Sequence, residues 1–122
     1  MGRRSDASLA LSFVAVALLA CGGAVRIPAL TAKGKQVTVS PNQQVEACKE
    51  LGPVEADHGS GCEPLGLEGA REGAEANLRN KAAEKGANYV RLTEEQRPHE
   101  SPGCRTRTWV LKGVAYACPP TD

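Results

Sequence analysis

The sequence contains few aromatic side chains. One tryptophan, two tyrosines and one phenylalanine make up 3% of the 122 residues. Beyond the first twenty residues, the aromatic side chains are Trp109, Tyr89 and Tyr116. A chain of this length with so little aromatic surface should form one small domain with a thin core. Such domains often depend on covalent cross-links.

Catalytic signatures are also missing from the sequence. No serine lies in a nucleophile-elbow motif, no glycine-rich phosphate loop follows a strand, and the two histidines belong to no triad pattern. We therefore predict a protein that is not an enzyme and that carries no cofactor.

No hydrophobic run is long enough to span a membrane. The longest, residues 9–20, has about 12 residues, whereas a membrane-spanning helix needs roughly 20. Arg3 and Arg4 precede this run, and Cys21 follows it. Basic residues, then a short apolar run, then a small-residue cleavage site are the layout of a signal peptide. We therefore expect residues 1–20 to direct export.

The residues around the expected cleavage site resemble a bacterial lipobox. Leu18, Leu19 and Ala20 precede Cys21, and in a lipobox the cysteine thiol receives a diacylglyceryl group and becomes the new N-terminus. Ordinary cleavage near Ala20, with Cys21 left as a thiol, is the alternative. The residue after Cys21 is Gly22 and not an aspartate, which favours sorting to the outer membrane. The sequence thus predicts a lipid on Cys21 and a domain facing the periplasm.

The exported chain has no excess of either charge. Removing Arg3, Arg4 and Asp6 from 15 basic and 14 acidic residues leaves 13 of each. A neutral domain lacks the basic patch of a nucleic-acid binder, so this class is excluded. Charge alone would not hold the domain on an anionic lipid surface, which leaves the acyl chains on Cys21 to do so.

Apolar periodicity divides the exported chain into a tether and one domain. Residues 21–33 show little periodicity and are expected to be a tether, followed by a domain over residues 34–119. Strands are predicted at 45–54, 88–94 and 106–118, with an alanine-rich amphipathic helix at 68–87 between the first two. Ala70, Ala74, Leu78 and Ala82 follow one another at spacings of four and should form the buried side of this helix. "QVTVS", residues 36–40, could form a further short strand.

These elements predict an α+β domain. A right-handed crossover makes the first two strands parallel, and a hairpin makes the third antiparallel to the second. The third strand is apolar on both faces and is best placed centrally, which gives a split β-α-β-β sheet of order 1-3-2 with the helix on one face. Within the helix, Gly73 should cost about 1 kcal/mol relative to alanine, and Gly86 should end it.

Four cysteines remain for the domain once Cys21 is assigned to the lipid. In an oxidising compartment such an even set forms disulfides. The predicted strand order brings Cys48 near Cys118 at one end of the sheet and Cys62 near Cys104 at the other. Of the three possible connectivities, we predict this one. The first bridge should hold the sheet, and the second should shape a binding surface made of loops.

A metal site is the alternative use of the same loops. His58, Cys62, His99 and Cys104 could supply two imidazoles and two thiols for a tetrahedral zinc ion. Because the chain is expected to be exported, a disulfide with two solvated loop histidines is the simpler interpretation.

Four other polar or aromatic residues admit two interpretations each. Arg79 could bind an anionic partner but would usually be solvated. Asn80 and Asn88 could be functional, but asparagines beside a helix end more often bond to local backbone. Trp109 could line a ligand groove and is more simply part of the core.

Two motifs, "NLRNKAAEKGAN" and "GVAYACP", resemble the YjeI-like family of small bacterial outer-membrane lipoproteins of unknown function. Further matching positions are Leu30, Gly34, Val37, Cys48, Leu51 and Gly52. The resemblance implies a cysteine pair at Cys48 and Cys118. The placement of Cys62 and Cys104 is similar to a bridge in the related envelope stress sensor RcsF, and "AAEKGANYV" is similar to YbjQ-like domains. The resemblance implies a non-catalytic interaction or stress-sensing module with an envelope protein partner.

Overall fold

The structure is a computed structural model that describes residues 26–120. The predicted signal peptide and Cys21 lie outside the described residues. The described elements, in chain order, are a 3-10 helix at Gly34–Gln36, β1 (Thr38–Ser40), β2 (Lys49–His58), α1 (Arg71–Glu84), β3 (Tyr89–Gln96), β4 (Glu100–Ser101), β5 (Cys104–Arg105) and β6 (Trp109–Ala117). Among these residues, no helix has the length and apolar character needed to cross a bilayer.

The strands form a mixed four-stranded sheet of order β1-β3-β6-β2, and β4 and β5 form a separate two-stranded ribbon. Strand β6 is antiparallel to both of its neighbours, β2 and β3. The α+β class and the predicted central position of β6 are confirmed. Of the possible short strand at 36–40, residues Thr38–Ser40 form β1, whereas Gln36 belongs to the 3-10 helix. Strand β1 extends the sheet by pairing in parallel with β3, a position that was not predicted.

The predicted bounds of the first long strand, 45–54, are wrong. The strand begins at Lys49 and ends at His58. A register shift between Glu50 and Gly52 adds a bulge, with Gly52 at a φ of 109°. A bulge reverses the alternation of side chains along a strand, so the pattern before Gly52 could not predict the buried positions after it.

The helix covers one face of the sheet through small side chains. Ala74, Leu78 and Ala82 are fully buried, as their spacing of four predicted, and they share one core cluster with Leu111 and Ala115 of β6. Alanine allows a helix to approach the strands closely. The predicted end of the helix is confirmed as well, since Gly86 has a φ of 86° directly after the last turn.

Aromatic residues lie on both faces of the sheet. Trp109 is half-buried and packs against the core under the helix, as the simpler interpretation predicted, and it also lines a surface cleft, as the alternative predicted. Tyr89 and Tyr116 are buried on the opposite face, with ring centroids 6.2 Å apart and the guanidinium of Arg91 5.5 Å above the Tyr116 ring. The Tyr89 hydroxyl donates to the Ser40 carbonyl at 2.7 Å.

Both predicted disulfides are confirmed. Cys48 is bonded to Cys118, with Cα atoms 4.1 Å apart, and Cys62 is bonded to Cys104, with Cα atoms 5.2 Å apart. The first bridge joins the start of β2 to the residue after β6. The second joins two loops at the opposite end of the sheet.

Strand β2 is an edge of the sheet, and the helix covers its outer carbonyl groups. The side-chain amide of Asn77 donates to the Asp57 carbonyl at 2.9 Å, and the ammonium of Lys81 donates to the Glu55 carbonyl at 3.0 Å. Pro53 has no N–H to offer, and the bulge at Gly52 interrupts the edge.

Candidate functional site

Four elements meet at one end of the domain. Strand β2 ends at His58, which pairs with Trp109 at the start of β6, and β3 ends beside them. The helix begins at the same end, since Arg71 in its first turn is hydrogen-bonded to Glu95 near the end of β3. That bond raises the pKa of Arg71 above its usual value. We call the loops 59–70 and 97–108, with His58 and Trp109, the loop end.

The two loops are tied together by more than the Cys62–Cys104 disulfide. The backbone N–H of Arg107 donates to the Gly61 carbonyl at 3.2 Å, and the Arg107 carbonyl accepts from the Gly69 N–H at 2.9 Å. Backbone bonds on either side of a covalent bridge restrict how the loops can move. The loop end therefore presents a fixed surface.

Three carboxylates and two guanidinium groups lie on this surface. Arg105 donates to Glu100 at 2.7 Å and lies 3.4 Å from Glu63. The hydrogen bond and negative charge of Glu100 raise the pKa of Arg105 above its usual value. Arg107 contacts Glu63 and Glu68, both at 3.5 Å. Exposed pairs of this kind contribute little to stability, so the cluster matters mainly as a recognition surface.

A cleft of about 290 Å³ opens between these charges. Trp109 and Pro98 form the apolar part of its lining, and His99 lies at its side. The Nε of Arg107 is buried and has no hydrogen-bond partner among the described residues. A buried donor without an acceptor is uncommon in proteins. The cleft thus combines an aromatic ring, two arginines and one unused donor.

His58 is not the solvated loop residue that we predicted. It is the last residue of β2 and is half-buried. Its Nδ1 accepts from the Ala70 N–H at 2.8 Å, and its Nε2 lies 2.8 Å from the Arg26 carbonyl. One nitrogen accepts and the other donates, so the imidazole is assigned as the neutral Nε2–H tautomer. The ring lies directly over Gly73.

The four residues proposed for zinc do not form a ligand set in the described structure. Cys62 and Cys104 are bonded to each other, and both ring nitrogens of His58 contact backbone groups. His99 is exposed, as predicted. Within residues 26–120, no three His, Cys, Asp or Glu side chains are grouped so that they could hold a metal.

Residues 26–33, which were predicted to be part of a tether, contact the helix. Asn80 is the main contact: its Oδ1 accepts from the Thr31 N–H at 2.9 Å and its Nδ2 donates to the Ala29 carbonyl at 3.0 Å. Arg79 donates to the Val37 carbonyl at 2.8 Å and the Lys35 carbonyl at 3.1 Å. Side chains of the helix thus bind main-chain groups of residues 26–37, which we call the N-terminal segment.

Asn88 has a structural role, as predicted, but its partner is distant in the sequence. Its side-chain amide donates to the Cys118 carbonyl at 2.8 Å and accepts from the Cys118 N–H at 2.8 Å. This reciprocal pair fixes the backbone beside the Cys48–Cys118 bridge. The prediction of bonds to local backbone was wrong for both Asn80 and Asn88, because each reaches a separate segment.

The loop end also carries exposed apolar side chains, which we did not single out from the sequence. Leu65 and Leu67 lie in the first loop and are 94% and 73% exposed. Ile27 follows Arg26, whose carbonyl contacts His58, and is 43% exposed. The glycine, serine, proline and charged residues of this segment predicted a loop, and the two leucines between them carry no pattern of their own.

These features define a class of protein: a small α+β domain with two disulfides and a charged cleft between cross-linked loops. Residues 28–118 match a domain of unknown function (DUF4156), and the chain belongs to this family. The match begins in the docked N-terminal segment and ends at Cys118, so it spans nearly all of the described residues. No curated protein is significantly similar to the chain.

Proposed function

We propose that this protein is a bacterial outer-membrane lipoprotein, anchored through Cys21, whose domain is a non-catalytic interaction or stress-sensing module of the cell envelope. One observation supports the anchor most strongly. The four cysteines of the domain are bonded to one another, so none of them remains as a disulfide partner for Cys21. A fifth cysteine directly after a short apolar run fits lipid attachment.

The disulfides also support the export part of the proposal. Disulfides persist in oxidising compartments and are rare in the cytosol. Two bridges in a domain with a small, alanine-rich core are typical of secreted proteins whose core alone is insufficient. Both features agree with a signal peptide at residues 1–20.

The loop end is the surface that we propose for partner binding. Arginine and tryptophan are enriched among the residues that dominate binding energy at protein interfaces. Arg105, Arg107 and Trp109 all line the cleft. The resemblance to YjeI-like lipoproteins that we infer from the motifs "NLRNKAAEKGAN" and "GVAYACP" would place the protein in the same setting.

The anchor is tested by expressing the full chain and its Cys21→Ser variant in a Gram-negative host. We expect the wild-type protein in the outer-membrane fraction, with a mass increase at Cys21 that matches a diacylglyceryl group. The variant should stay unprocessed or become soluble, because serine cannot form the thioether. A variant that reaches the membrane at the wild-type level and mature size would contradict the anchor.

The binding surface is tested by photo-crosslinking in cells. A crosslinking amino acid at His99, in the cleft, should capture an envelope protein, whereas the same group at Asn42, at the opposite end of the sheet, should not. Equal capture from both positions would count against the loop end. Zinc bound to protein purified without reductant, together with titratable thiols at positions 62 and 104, would favour a metal-binding function instead.

A further inference from the structure

We infer that the side of the loop end that carries Leu65 and Leu67, with Ile27 nearby, contacts the lipid surface to which Cys21 is attached. None of these three side chains lines the cleft of Arg105, Arg107 and Trp109, which stays open to a protein partner. This inference rests on the proposed lipid anchor and adds an orientation to it. The occupant of the apolar surface is therefore a phospholipid leaflet.

The distribution of exposed apolar side chains is the first argument. Among residues 26–120, the large hydrophobic side chains that remain exposed are Ile27, Leu65 and Leu67. Single exposed leucines are common on soluble proteins. Here Leu65 and Leu67 lie in the first loop, and Ile27 lies beside Glu72 and Ala76 in the first half of the helix, which begins at the same end of the sheet. The other end presents no such side chain within the described residues. Concentration at one end is typical of an interaction surface.

The position of the N-terminal segment is the second argument. The Arg26 carbonyl is held by His58, at the loop end. Five residue steps separate Arg26 from Cys21, which span at most roughly 18 Å at about 3.6 Å per residue. Strand β2 has 10 residues and is therefore about 33 Å long at roughly 3.3 Å per residue. The loop end is thus the end within reach of the lipid.

The charge of the loop end is the third argument. Residues 59–70 and 97–108 contain three acidic and three basic residues, namely Glu63, Glu68, Glu100, Arg97, Arg105 and Arg107. Five of these six groups are joined in ion pairs. A neutral surface with projecting leucines contacts a membrane through apolar burial and not through attraction to anionic lipid. The contact should therefore be insensitive to salt.

The test uses the full lipidated chain in vesicles of phosphatidylethanolamine and phosphatidylglycerol. Trp109 is the single tryptophan, so Trp109→Phe provides a background without tryptophan fluorescence. In that background, Leu65→Trp reports on the loop end, and Asn42→Trp is the matched control at the opposite end. We expect vesicles to shift the emission of the first reporter to shorter wavelength. Lipids with brominated acyl chains should quench the fluorescence of the reporter at position 65 much more than that of the reporter at position 42.

Equal quenching of the two reporters, or none at position 65, would overturn the inference. A reporter at position 65 that is unquenched in vesicles but crosslinks a protein in cells would assign the surface to a protein partner instead. If the proposed lipid anchor itself is wrong, the chain will lack the diacylglyceryl mass and will not float with the vesicles, which distinguishes this outcome from a wrong orientation.

A second variant tests the inference without Trp109→Phe, in case that substitution impairs folding. Leu65→Ser with Leu67→Ser keeps Trp109 and changes two exposed positions. It should float with vesicles as the wild type does, but lose the membrane-dependent slowing of amide exchange in residues 61–69. Retention of that slowing in the double variant would also refute the inference.

Discussion

Replacing Gly73 by alanine should destabilise the domain, although alanine is the better helix former. Gly73 lies in the first turn of α1, beneath the imidazole of His58. A Cβ at this position would overlap the ring, so the ring would have to move. Movement would break the bond from the Ala70 N–H to Nδ1 and the bond from Nε2 to the Arg26 carbonyl, both 2.8 Å long.

The expected loss of stability in Gly73→Ala follows from one stabilising effect and two destabilising effects. Alanine gains up to about 1 kcal/mol over glycine in a helix. Each lost hydrogen bond costs roughly 0.5–1.5 kcal/mol, and overpacking a buried position costs typically about 1–3 kcal/mol. The losses exceed the gain, so the free energy of unfolding should fall by about 1–5 kcal/mol. For a domain of this size, each kcal/mol lowers the melting temperature by roughly 4–8 °C.

The assay is chemical denaturation of the wild type, Gly73→Ala, His58→Ala and the double variant. Without the imidazole there is room for the new methyl group. Gly73→Ala should then stabilise the protein by up to about 1 kcal/mol, as its helix propensity predicts. The sign of the effect should thus depend on His58. If Gly73→Ala stabilises the protein in both backgrounds, the packing of His58 on Gly73 is refuted.

Two further predictions concern other contacts. Serine at both Cys62 and Cys104 should lower the melting temperature less than serine at both Cys48 and Cys118, yet weaken partner crosslinking more. The Cys62–Cys104 bridge closes 42 residues and the Cys48–Cys118 bridge closes 70, a difference worth only about 0.5 kcal/mol of stability. If the variant without the Cys62–Cys104 bridge had the lower melting temperature, the roles assigned to the two bridges would be contradicted. Asn80→Ala should speed amide exchange in residues 29–33. Asn80→Asp keeps the acceptor oxygen and should speed it less. Unchanged exchange in both variants would argue against a role of Asn80 in holding this segment.

Short-range sequence patterns predicted much of this fold. Alanines at spacings of four identified the buried side of the helix, and Gly86 identified its end. Residues of β6 that are apolar on both faces identified the central strand. The antiparallel pairing of β6 with the first long strand then determined which cysteines meet. Each of these inferences depends on neighbouring residues or on a rule of chain topology.

Contacts between distant segments could not be predicted in the same way. The bulge at Gly52 changed which residues of β2 are buried, and glycine at one position does not by itself reveal a bulge. The role of His58 depends on the helix beginning beside the end of β2. A loop between them can place that helix start in many positions, so the sequence alone did not indicate a half-buried imidazole bonded to backbone.

The motif "NLRNK", residues 77–81, contained a signal that was only partly used. Its polar side chains bond to main-chain carbonyls on both sides of the helix, those of β2 on one side and those of the N-terminal segment on the other. Asparagine and arginine so close together on a helix that is otherwise rich in alanine could have suggested clamps on neighbouring backbone. They were interpreted as solvated or locally bonded.

Under the proposed lipid anchor, the covered edge of β2 has a particular consequence. Anchoring confines molecules to two dimensions and raises their effective concentration. Under such crowding, an open strand edge would recruit the edges of identical neighbours and start aggregation. Asn77 and Lys81 occupy two carbonyl groups of that edge, and Pro53 withholds a donor. The helix thus keeps neighbouring copies separate without any need for charge repulsion.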